Sequence, residues 1–431
     1  MELLNKFSEI FRIRDLRVKI LFILGVFVIF RIMANIPIPG VEKHNLELFF
    51  EKFQVFGLLN IFTGGALQNL SIAMLGLGPY ITAVIIFQLL TMIFPQLEKL
   101  YKEEGEAGRR KFNQYCRIAT VPLASLQAFG MLNLLQRQKV LPALSPIDLI
   151  TSIITITAGC LFLMWLGELI SEKGIGDGVS LLIFAGIVAE FPLNIYQAGV
   201  DLSSNPGKLP SYLFFLVISL IIITGVVIVN ETRRNIPISY SKRVRGMKMY
   251  GGVSTYLPLN INPAGVIPII FALAIVLFPN MIGHFLVGAG GVIGYFGEKL
   301  ISFFDPQRNF LGYAISLFVL VVIFTFFYTM VTFDPKTVAN NLKKVGGFIP
   351  GIRPGRATAE YLSFILNRIL LFGSIFLGII AILPHIVATF TGVKTFSFLI
   401  GGTSLLIIVA VVLDTWRRIN TQLEMHEYEK L

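Results

Sequence analysis

The residue types that most often carry out chemistry are sparse in this sequence. The histidines are dispersed, with no i, i+4 pair and no carboxylate partner at ligand spacing, and they are His44, His284, His385 and His426. The two cysteines, Cys116 and Cys160, fall near the start of one apolar run and within another, as expected for buried small residues rather than a disulfide or zinc site. A G-x-S-x-G elbow and a phosphate-binding loop are both missing. The sequence therefore predicts no catalytic residue, no cofactor and no metal.

The composition indicates the solvent in which such a chain folds. Of the 431 residues, 55% are hydrophobic and 14% are charged, whereas an average soluble domain has about 45–50% and 25%. There is too little polar surface to cover a particle in water. The chain is therefore predicted to be an all-α polytopic membrane protein.

Ten apolar runs approach the roughly 20 residues that a membrane-spanning helix needs. They cover residues 19–36, 72–94, 115–136, 148–170, 179–198, 210–230, 263–283, 309–332, 367–387 and 397–416. The first run is preceded by basic residues but lacks a small-residue cleavage site after it, so we expect a retained span rather than a signal peptide. The glycine-rich segment Gly174-Ile175-Gly176-Asp177-Gly178 is predicted to be a tight turn between spans 4 and 5.

The basic residues orient these spans. Of the 36 Lys and Arg residues, 27 fall in the connections on one side of the ten spans and 8 on the other, with Arg31 inside span 1. Because Lys and Arg accumulate on the cytoplasmic side, both termini are predicted to be cytoplasmic. This rule explains most of the basic residues without a binding function.

Two cytoplasmic connections, 231–262 and 333–366, are longer than a membrane hairpin requires. They are polar, basic and rich in glycine and proline, which is typical of docking surfaces. Lipid head groups, an acidic protein face and RNA all remain possible partners, because clustered Lys and Arg attract each of them.

Between spans 1 and 2, residues 55–67 are apolar but too short to cross a membrane, and Gly64 and Gly65 divide them. One interpretation is a re-entrant half-helix, which implies a cavity because irregular backbone at membrane depth must be covered by protein or water. The alternative is an interfacial helix on the outer surface.

Charges inside the predicted spans are few, as expected for a path without fixed charge. A charge at the bilayer centre costs at least about 2.5–3.5 kcal/mol. Arg31 is near the outer end of span 1, where it can snorkel, and the charges near cytoplasmic ends are Glu168, Arg368 and Asp414. The span interiors contain aliphatic, small and uncharged polar residues, among the last Thr82, Gln88, Gln127 and Ser374.

Several ordered motifs together make the sequence resemble the SecY family, the channel subunits of the general secretory translocon, most closely its bacterial branch. The motifs are Ile36-Pro37-Ile38-Pro39-Gly40, Phe62-Thr63-Gly64-Gly65-Ala66-Leu67, Gly78-Pro79-Tyr80-Ile81, Gly174-Ile175-Gly176-Asp177-Gly178, Ala264-Gly265-Val266-Ile267-Pro268, Pro350-Gly351-Ile352-Arg353-Pro354-Gly355 and Gly401-Gly402-Thr403-Ser404-Leu405-Leu406-Ile407. The resemblance implies ten spans in two pseudo-symmetric inverted halves, residues 1–205 with spans 1–5 and residues 206–431 with spans 6–10. It also implies that the chain is not an enzyme.

The resemblance further implies a pore constricted by a ring of aliphatic side chains, which carries over to Leu77, Ile81, Ile183, Ile187, Ile270 and Ile407. The spacing is consistent with a ring, because Leu77 and Ile81, like Ile183 and Ile187, are i, i+4 pairs on one helix face. Taken singly, each of these residues is more often found facing lipid or a packing neighbour.

Three further elements follow from the resemblance. The segment of about residues 56–70 is the expected plug, with its motif at Phe62, Thr63, Gly64, Gly65, Ala66 and Leu67. A lateral gate toward lipid is expected between spans 2 and 3 and spans 7 and 8, with Thr82, Gln88, Gln127 and Phe271 as gate residues. Phe271 is followed by Ala272-Leu273-Ala274, where relatives often place small hydroxyl residues.

The long cytoplasmic loops are the expected docking surface for the SecA motor or the ribosome, through Lys242, Arg243, Arg245, Lys248, Arg353 and Arg356. The resemblance also implies SecE and SecG as small subunits, secretory precursors and signal sequences as substrates, contact with membrane lipid, and location in the bacterial plasma membrane. Two rival functions are a secondary transporter, which should have a charged or unwound midplane site, and an intramembrane hydrolase.

Overall fold

The computed structural model describes residues 12–38, 60, 63–102, 104–137, 140–142, 144–240, 243–245, 248–250, 254–287, 291–305, 308–391 and 402–428. These residues are mostly helical. The helices of the N-terminal part are α1 (Arg14–Ala34), α2 (Gly78–Ile93), α3 (Pro95–Lys102), α4 (Gly105–Arg137), α5 (Pro146–Glu172) and α6 (Gly178–Ser204). Those that follow are α7 (Leu209–Glu231), α8 (Ile267–Val287), α9 (Gly291–Phe304), α10 (Phe310–Thr332), α11 (Pro335–Lys344), α12 (Arg356–Thr391) and α13 (Gly402–Tyr428).

Each of the ten predicted apolar runs overlaps one of these helices, namely α1, α2, α4–α8, α10, α12 and α13. Within the described residues, six helices are long and apolar enough to cross a membrane, or seven if the bent pair α2–α3 forms one span. α1 and α13 are also long, but they carry several charged residues. The fold is thus that of an all-α protein with multiple apolar helices, and the number of ten spans stays a prediction.

Several helices extend beyond the apolar runs that predicted them. α4 begins at Gly105, ten residues before its apolar run, and α13 continues to Tyr428 through a charged tail. Hydropathy detects the part of a helix that suits lipid, whereas a polar helix continues until a cap or a proline ends it. The search for apolar runs did not predict helix α9, because its 14 residues are too few to cross a membrane.

Two local features of the sequence determine how neighbouring helices are oriented. α2 ends at Ile93 just before Pro95, and α3 leaves it at an angle of 112°. The segment 174–178 forms the predicted turn, in which Asp177 caps α6 by accepting a hydrogen bond from the Ser180 N–H. A Cβ atom at Gly178 would lie 1.8 Å from the Gly167 carbonyl oxygen, so α5 and α6 approach closely here.

The two long connections that are predicted to be cytoplasmic meet in one small sheet. β1 (Arg233–Tyr240) pairs antiparallel with β4 (Ser254–Asn260), and β5 (Gly347–Phe348), from the second connection, joins the other edge of β1. β2 (Arg243–Arg245) and β3 (Lys248–Tyr250) form a separate hairpin. A small apolar core beneath the sheet includes Ile236, Leu259, Ile349, Leu362 and Ile365.

The main core runs through the helical part and contains buried residues of α1, α2, α5–α8, α10, α12 and α13. The first segment of the chain after α1 is tied to the residues preceding α2. The Ile38 N–H donates to the Leu70 carbonyl oxygen at 2.9 Å, and the Ile72 N–H donates to the Ile36 carbonyl oxygen at 3.0 Å. These bonds fix the end of the predicted plug against the Ile-Pro-Ile-Pro motif.

Candidate channel constriction and plug seat

The six predicted ring residues lie on four helices and belong to one region of the core. Ile183 and Ile187 are on α6, Ile270 is on α8 and Ile407 is on α13. Leu77 is the N-cap residue of α2, and the sixth, Ile81, is in its first turn. Five are 0–9% exposed and part of the main buried cluster, and Ile81 packs partly buried against it. Their burial excludes the lipid-facing orientation that a single isoleucine in a membrane helix usually has.

One face of helix α6 presents two further residues to this region besides its two ring residues. Ile183, Gly186, Ile187 and Glu190 are spaced i, i+3, i+4 and i+7, so they form one stripe along the helix. A Cβ atom at Gly64 would lie 2.7 Å from the Gly186 Cα atom. The predicted plug therefore packs on the same face of α6 as the two isoleucines, in direct contact with the residue next to Ile187.

The described part of the plug is residue 60 and residues 63–70, of which 63–70 form successive turns. Phe62 lies outside the described residues, whereas Thr63, Gly64, Gly65, Ala66 and Leu67 are buried. Gly64 and Gly65 have φ angles of 63° and 79°, a left-handed conformation that glycine adopts without steric cost. The glycine pair explains why the chain turns here instead of continuing as a helix.

The plug also touches the residue next to Leu77. A Cβ atom at Gly76 would lie 3.1 Å from the Thr63 Cγ2 atom, and one at Gly64 would lie 3.2 Å from the Phe30 ring. We call Phe30, Gly76 and Gly186 the plug seat. Gly76 precedes Leu77 and Gly186 precedes Ile187, so the plug contacts the chain neighbours of two predicted ring residues.

Three polar residues at the plug were missed as site residues in the sequence. Arg31 was expected to snorkel toward the outer interface, but its guanidinium donates a hydrogen bond to the Gly64 carbonyl oxygen. The amide of Asn60 donates to Glu190 Oε1 at 3.1 Å. Glu190 lies inside the predicted span 179–198 and is absent from the few span charges named from the sequence. Its i+7 spacing from Ile183 was the sequence signal that could have found it.

The predicted lateral gate corresponds to two helix pairs. α2 packs on α4, α8 packs on α10, and α8 also contacts both α2 and α4. Gln88 is buried in α2, and its Oε1 has no hydrogen-bond partner among the described residues. Phe271 on α8 is also buried, but its ring packs edge-on against Phe324 and Tyr328 of α10, at centroid distances of 6.0 and 6.1 Å.

The other two gate candidates are half-buried. Thr82 donates a hydrogen bond from its hydroxyl to the Gly78 carbonyl oxygen in its own helix, at 2.9 Å. Gln127 lies in α4. The four gate candidates thus lie on three of the four helices that form the two pairs.

The predicted docking residues lie on the β2–β3 hairpin, in the turn before α12 and at the start of α12. Arg243 and Arg245 are in β2 and Lys248 is in β3, with Arg245 opposite Lys248 in the register. Lys242 lies outside the described residues. The exposed Arg353 is held by its main chain, because the Thr358 hydroxyl donates to its carbonyl oxygen at 2.9 Å. The last predicted docking residue, Arg356, is exposed and forms an ion pair with Glu360.

The described residues that could carry out other chemistry lie apart from one another. Cys116 and Cys160 are free and buried, which confirms the expectation for them. Across the described ranges, His, Cys, Asp and Glu side chains form no group of three or more that could hold a metal ion. His44 and the side chains of His284 and His385 lie outside what the structure describes.

Comparison with known proteins gives one family. A SecY family model matches residues 71–416. The protein translocase subunit SecY of Streptomyces galbus is 42% identical over 441 residues, with 99% of each chain covered. That of Corynebacterium glutamicum is 43% identical over 447 residues and covers 98% of each chain.

Solved structures show the same fold. A protein-conducting channel aligns with a TM-score of 0.68 at 20% identity, over 93% of this chain and 91% of the other. A SecY structure, described for a plug domain that stabilises the closed state, aligns at 0.65 with 21% identity and the same coverage. Sec61 from a canine ribosome-channel complex aligns at 0.63 with 19% identity, again with that coverage.

Proposed function

The chain belongs to the SecY family, and we propose that it forms the central protein-conducting channel of a bacterial translocase, which passes unfolded polypeptides across the membrane. The observation that carries the proposal is the close placement of an aliphatic ring and a plug. Leu77, Ile183, Ile187, Ile270 and Ile407 are buried in one cluster. Gly64 of the plug contacts the glycine beside Ile187.

A ring of this kind suits a channel that must admit any sequence. A narrow apolar constriction does not hold a stable column of water, so ions are excluded without a charged filter. Its aliphatic side chains can close around an extended polypeptide and offer no hydrogen bonds that would retain it. The six ring residues named above form this barrier, and the plug of about residues 56–70 closes the idle channel beneath it.

The lateral gate is the contact of α8 with α2 and α4, which opens when the α2–α4 pair parts from α8–α10. Thr82, Gln88, Gln127 and Phe271 line the gate and contact signal sequences and membrane segments as these pass into lipid. The unpartnered amide oxygen of Gln88 supports this role, because a buried polar atom without a partner costs about 1–3 kcal/mol.

The docking surface for the driving partner, either SecA or the ribosome, is the cytoplasmic region made by the β2–β3 hairpin, the β4-β1-β5 sheet and the turn that holds Arg353. Lys242, Arg243, Arg245, Lys248, Arg353 and Arg356 supply positive charge there. The pairing of β1 with β5 supports one common surface, because it joins the two long connections. The canine Sec61 relative comes from a ribosome-channel complex.

The assembly contains SecE and SecG as small subunits and lies in the bacterial plasma membrane with both termini in the cytoplasm. Ten spans form two inverted halves, residues 1–205 and 206–431. The excess of Lys and Arg in one set of connections supports this orientation.

Reconstituted liposomes test the proposal directly. The chain is inserted together with the small subunits, SecA and ATP are added, and a secretory precursor is tested for protection from external protease. ATP-dependent protection supports a protein-conducting channel. Correct insertion and SecA binding without protection would overturn the pore assignment, and uptake of a small solute without a motor would favour a transporter.

The same liposomes test the docking surface. Arg353→Glu should abolish SecA-driven protection while the channel still inserts, because it reverses a charge on an exposed turn. Arg308→Glu is the matched control, since it reverses an exposed charge in the loop between α9 and α10, on the predicted outer side. Normal transport by Arg353→Glu would contradict the docking assignment.

A further inference from the structure

Two charged side chains approach the plug from different helices. A Cβ atom built on Gly65 would lie 2.8 Å from Glu190 Oε1 and 3.8 Å from Arg31 Nη1. The carboxylate of α6 and the guanidinium of α1 therefore flank the Gly65 backbone on the same side. Any residue other than glycine at this position would push the plug away from both groups.

Both charges bind the plug through hydrogen bonds. The Arg31 guanidinium donates to the Gly64 carbonyl oxygen, and Glu190 Oε1 accepts from the Asn60 amide at 3.1 Å. Asn60 is 7% exposed and is itself fixed within the plug, because its Oδ1 accepts from the Gln68 N–H at 2.7 Å. These bonds join residues from α1, the plug and α6, which are far apart in the sequence.

Both charged side chains lie in helices that are predicted to cross the membrane, where a charge without a partner costs free energy. Both lie within helices that overlap predicted apolar runs, and a charge at such depth is tolerated chiefly where protein or water receives it. Glu190 lies one turn after Gly186 of the plug seat and on the stripe that carries Ile183 and Ile187. The helix that contributes two ring residues therefore also holds the plug by a charged group.

We propose that Arg31, Asn60 and Glu190 form a polar latch that holds the plug in its seat until a translocating chain displaces it. The proposal rests on the proposed channel function and deepens it. The latch differs from the seat, because the seat contacts are van der Waals contacts of glycine and phenylalanine. When the plug is displaced, both charged side chains are hydrated by water that enters from the outer side. They stay available to bind the plug again, so its release is reversible.

Substitution by methionine tests the latch because it removes the polar end of each side chain, while it matches the length of glutamate and keeps an apolar stem in place of the longer arginine. Arg31→Met and Glu190→Met should each raise the labelling rate of Leu67→Cys by about tenfold, equivalent to about 1.4 kcal/mol. Leu67 is 1% exposed when the plug is seated. The background replaces Cys116 and Cys160 by alanine, the small subunits are present, and a membrane-impermeant maleimide is added from outside.

A control and a rescue variant make this result specific. Gln197→Met changes an exposed residue seven positions after Glu190 on α6 and should leave labelling unchanged. Asn60→Asp combined with Glu190→Gln exchanges the carboxylate and the amide, so it should restore slow labelling that Glu190→Met loses. Failure of this exchange to restore slow labelling would overturn the assigned pair.

The remaining outcomes separate the latch from the channel function. Labelling at the parental rate in both methionine variants would overturn the latch, as would equal acceleration by Gln197→Met. Protection of a secretory precursor is measured in the same liposomes with SecA and ATP. If the parent channel does not protect the precursor, the channel function is contradicted. If the methionine variants protect the precursor as well as the parent and their labelling rate is unchanged, the latch alone is contradicted.

Discussion

The ring side chains are aliphatic and have no hydrogen-bonding groups, whereas the plug that contacts their neighbours is held by a set of hydrogen bonds. Ile183 and Ile187 are buried and contribute only aliphatic side chains. On the same helix, Gly64 packs on Gly186, one residue before Ile187, and Asn60 donates to Glu190, three residues after it. One helix face thus carries two residues of the proposed barrier, which would recognise no sequence, and the specific contacts that hold the plug.

This difference has a physical reason. An apolar ring must release every segment of a passing chain, so directional bonds would trap some segments and not others. The plug returns to a single position, and hydrogen bonds are directional enough to define it. We therefore expect substitutions in the ring to change how well ions are excluded, and substitutions at the plug to change how often it is displaced.

The largest effect is expected from making the ring polar. Leu77, Ile81 and Ile187, all replaced by serine, should let the idle channel conduct ions continuously, because hydroxyl groups stabilise water in the constriction. We expect a leak at least about tenfold above the parent, the ratio that 1.4 kcal/mol gives. Single-channel recording in a planar bilayer, with the small subunits present, measures it.

The control replaces the same three residues by valine, which keeps the ring apolar and costs little water exclusion. Unchanged idle conductance of the serine variant would contradict the assignment of these residues to the ring. A leak in the valine variant as large as in the serine variant would show that side-chain volume, rather than polarity, is what the ring requires.

A smaller, intermittent leak is expected when the plug cannot reach its seat and the ring is intact. Gly64→Val places a side chain where Cβ alone would lie 2.7 Å from Gly186 Cα, in a backbone conformation with φ of 63°. The strained conformation and the overpacking together should disfavour the seated plug by about 2–4 kcal/mol. Brief openings in the same bilayer recordings should replace a closed baseline.

Gly105→Val is the matched control, since Gly105 has a φ of 61° and nothing within 4 Å of an added Cβ atom. It therefore carries the same backbone strain without the contact. Equal conductance of the two variants would attribute the leak to strain in general and contradict the seat.

The sequence contains more local signal for the predicted ring, which the resemblance located, than for the contacts that hold the plug. The i, i+4 spacing of Ile183 and Ile187 is local, and their burial follows from their place on the helix. The bond between Asn60 and Glu190 joins residues 130 positions apart, and no local pattern near either residue contains it. A single carboxylate in a long apolar run barely lowers its hydropathy, so Glu190 did not stand out.

The same distinction between local and long-range signals holds for the two long connections. The length and charge of the connections 231–262 and 333–366 predicted two exposed loops, and the Arg353 turn falls in one of them. Their union through Ser239 opposite Phe348 and Tyr240 opposite Gly347 required long-range pairing of short strands. Such pairing depends on the helices that bring the strands together, and short polar strands carry little periodic signal of their own.

The smallest effect is expected from the plug's internal bonds, which shape it without tying it to a helix. The Thr63 hydroxyl donates to the Asn60 carbonyl oxygen at 3.1 Å and accepts from the Leu67 N–H at 3.2 Å. Thr63→Val keeps the shape and removes both bonds, each worth about 0.5–1.5 kcal/mol net. Because the seat contacts persist, openings in the bilayer recordings should increase less than with Gly64→Val.

Thr325→Val, which removes an equally buried hydroxyl bonded to the Val321 carbonyl oxygen in α10, should leave conductance unchanged. A Thr63→Val leak as large as that of Gly64→Val would mean that the plug's own fold, rather than its seat, keeps the channel closed.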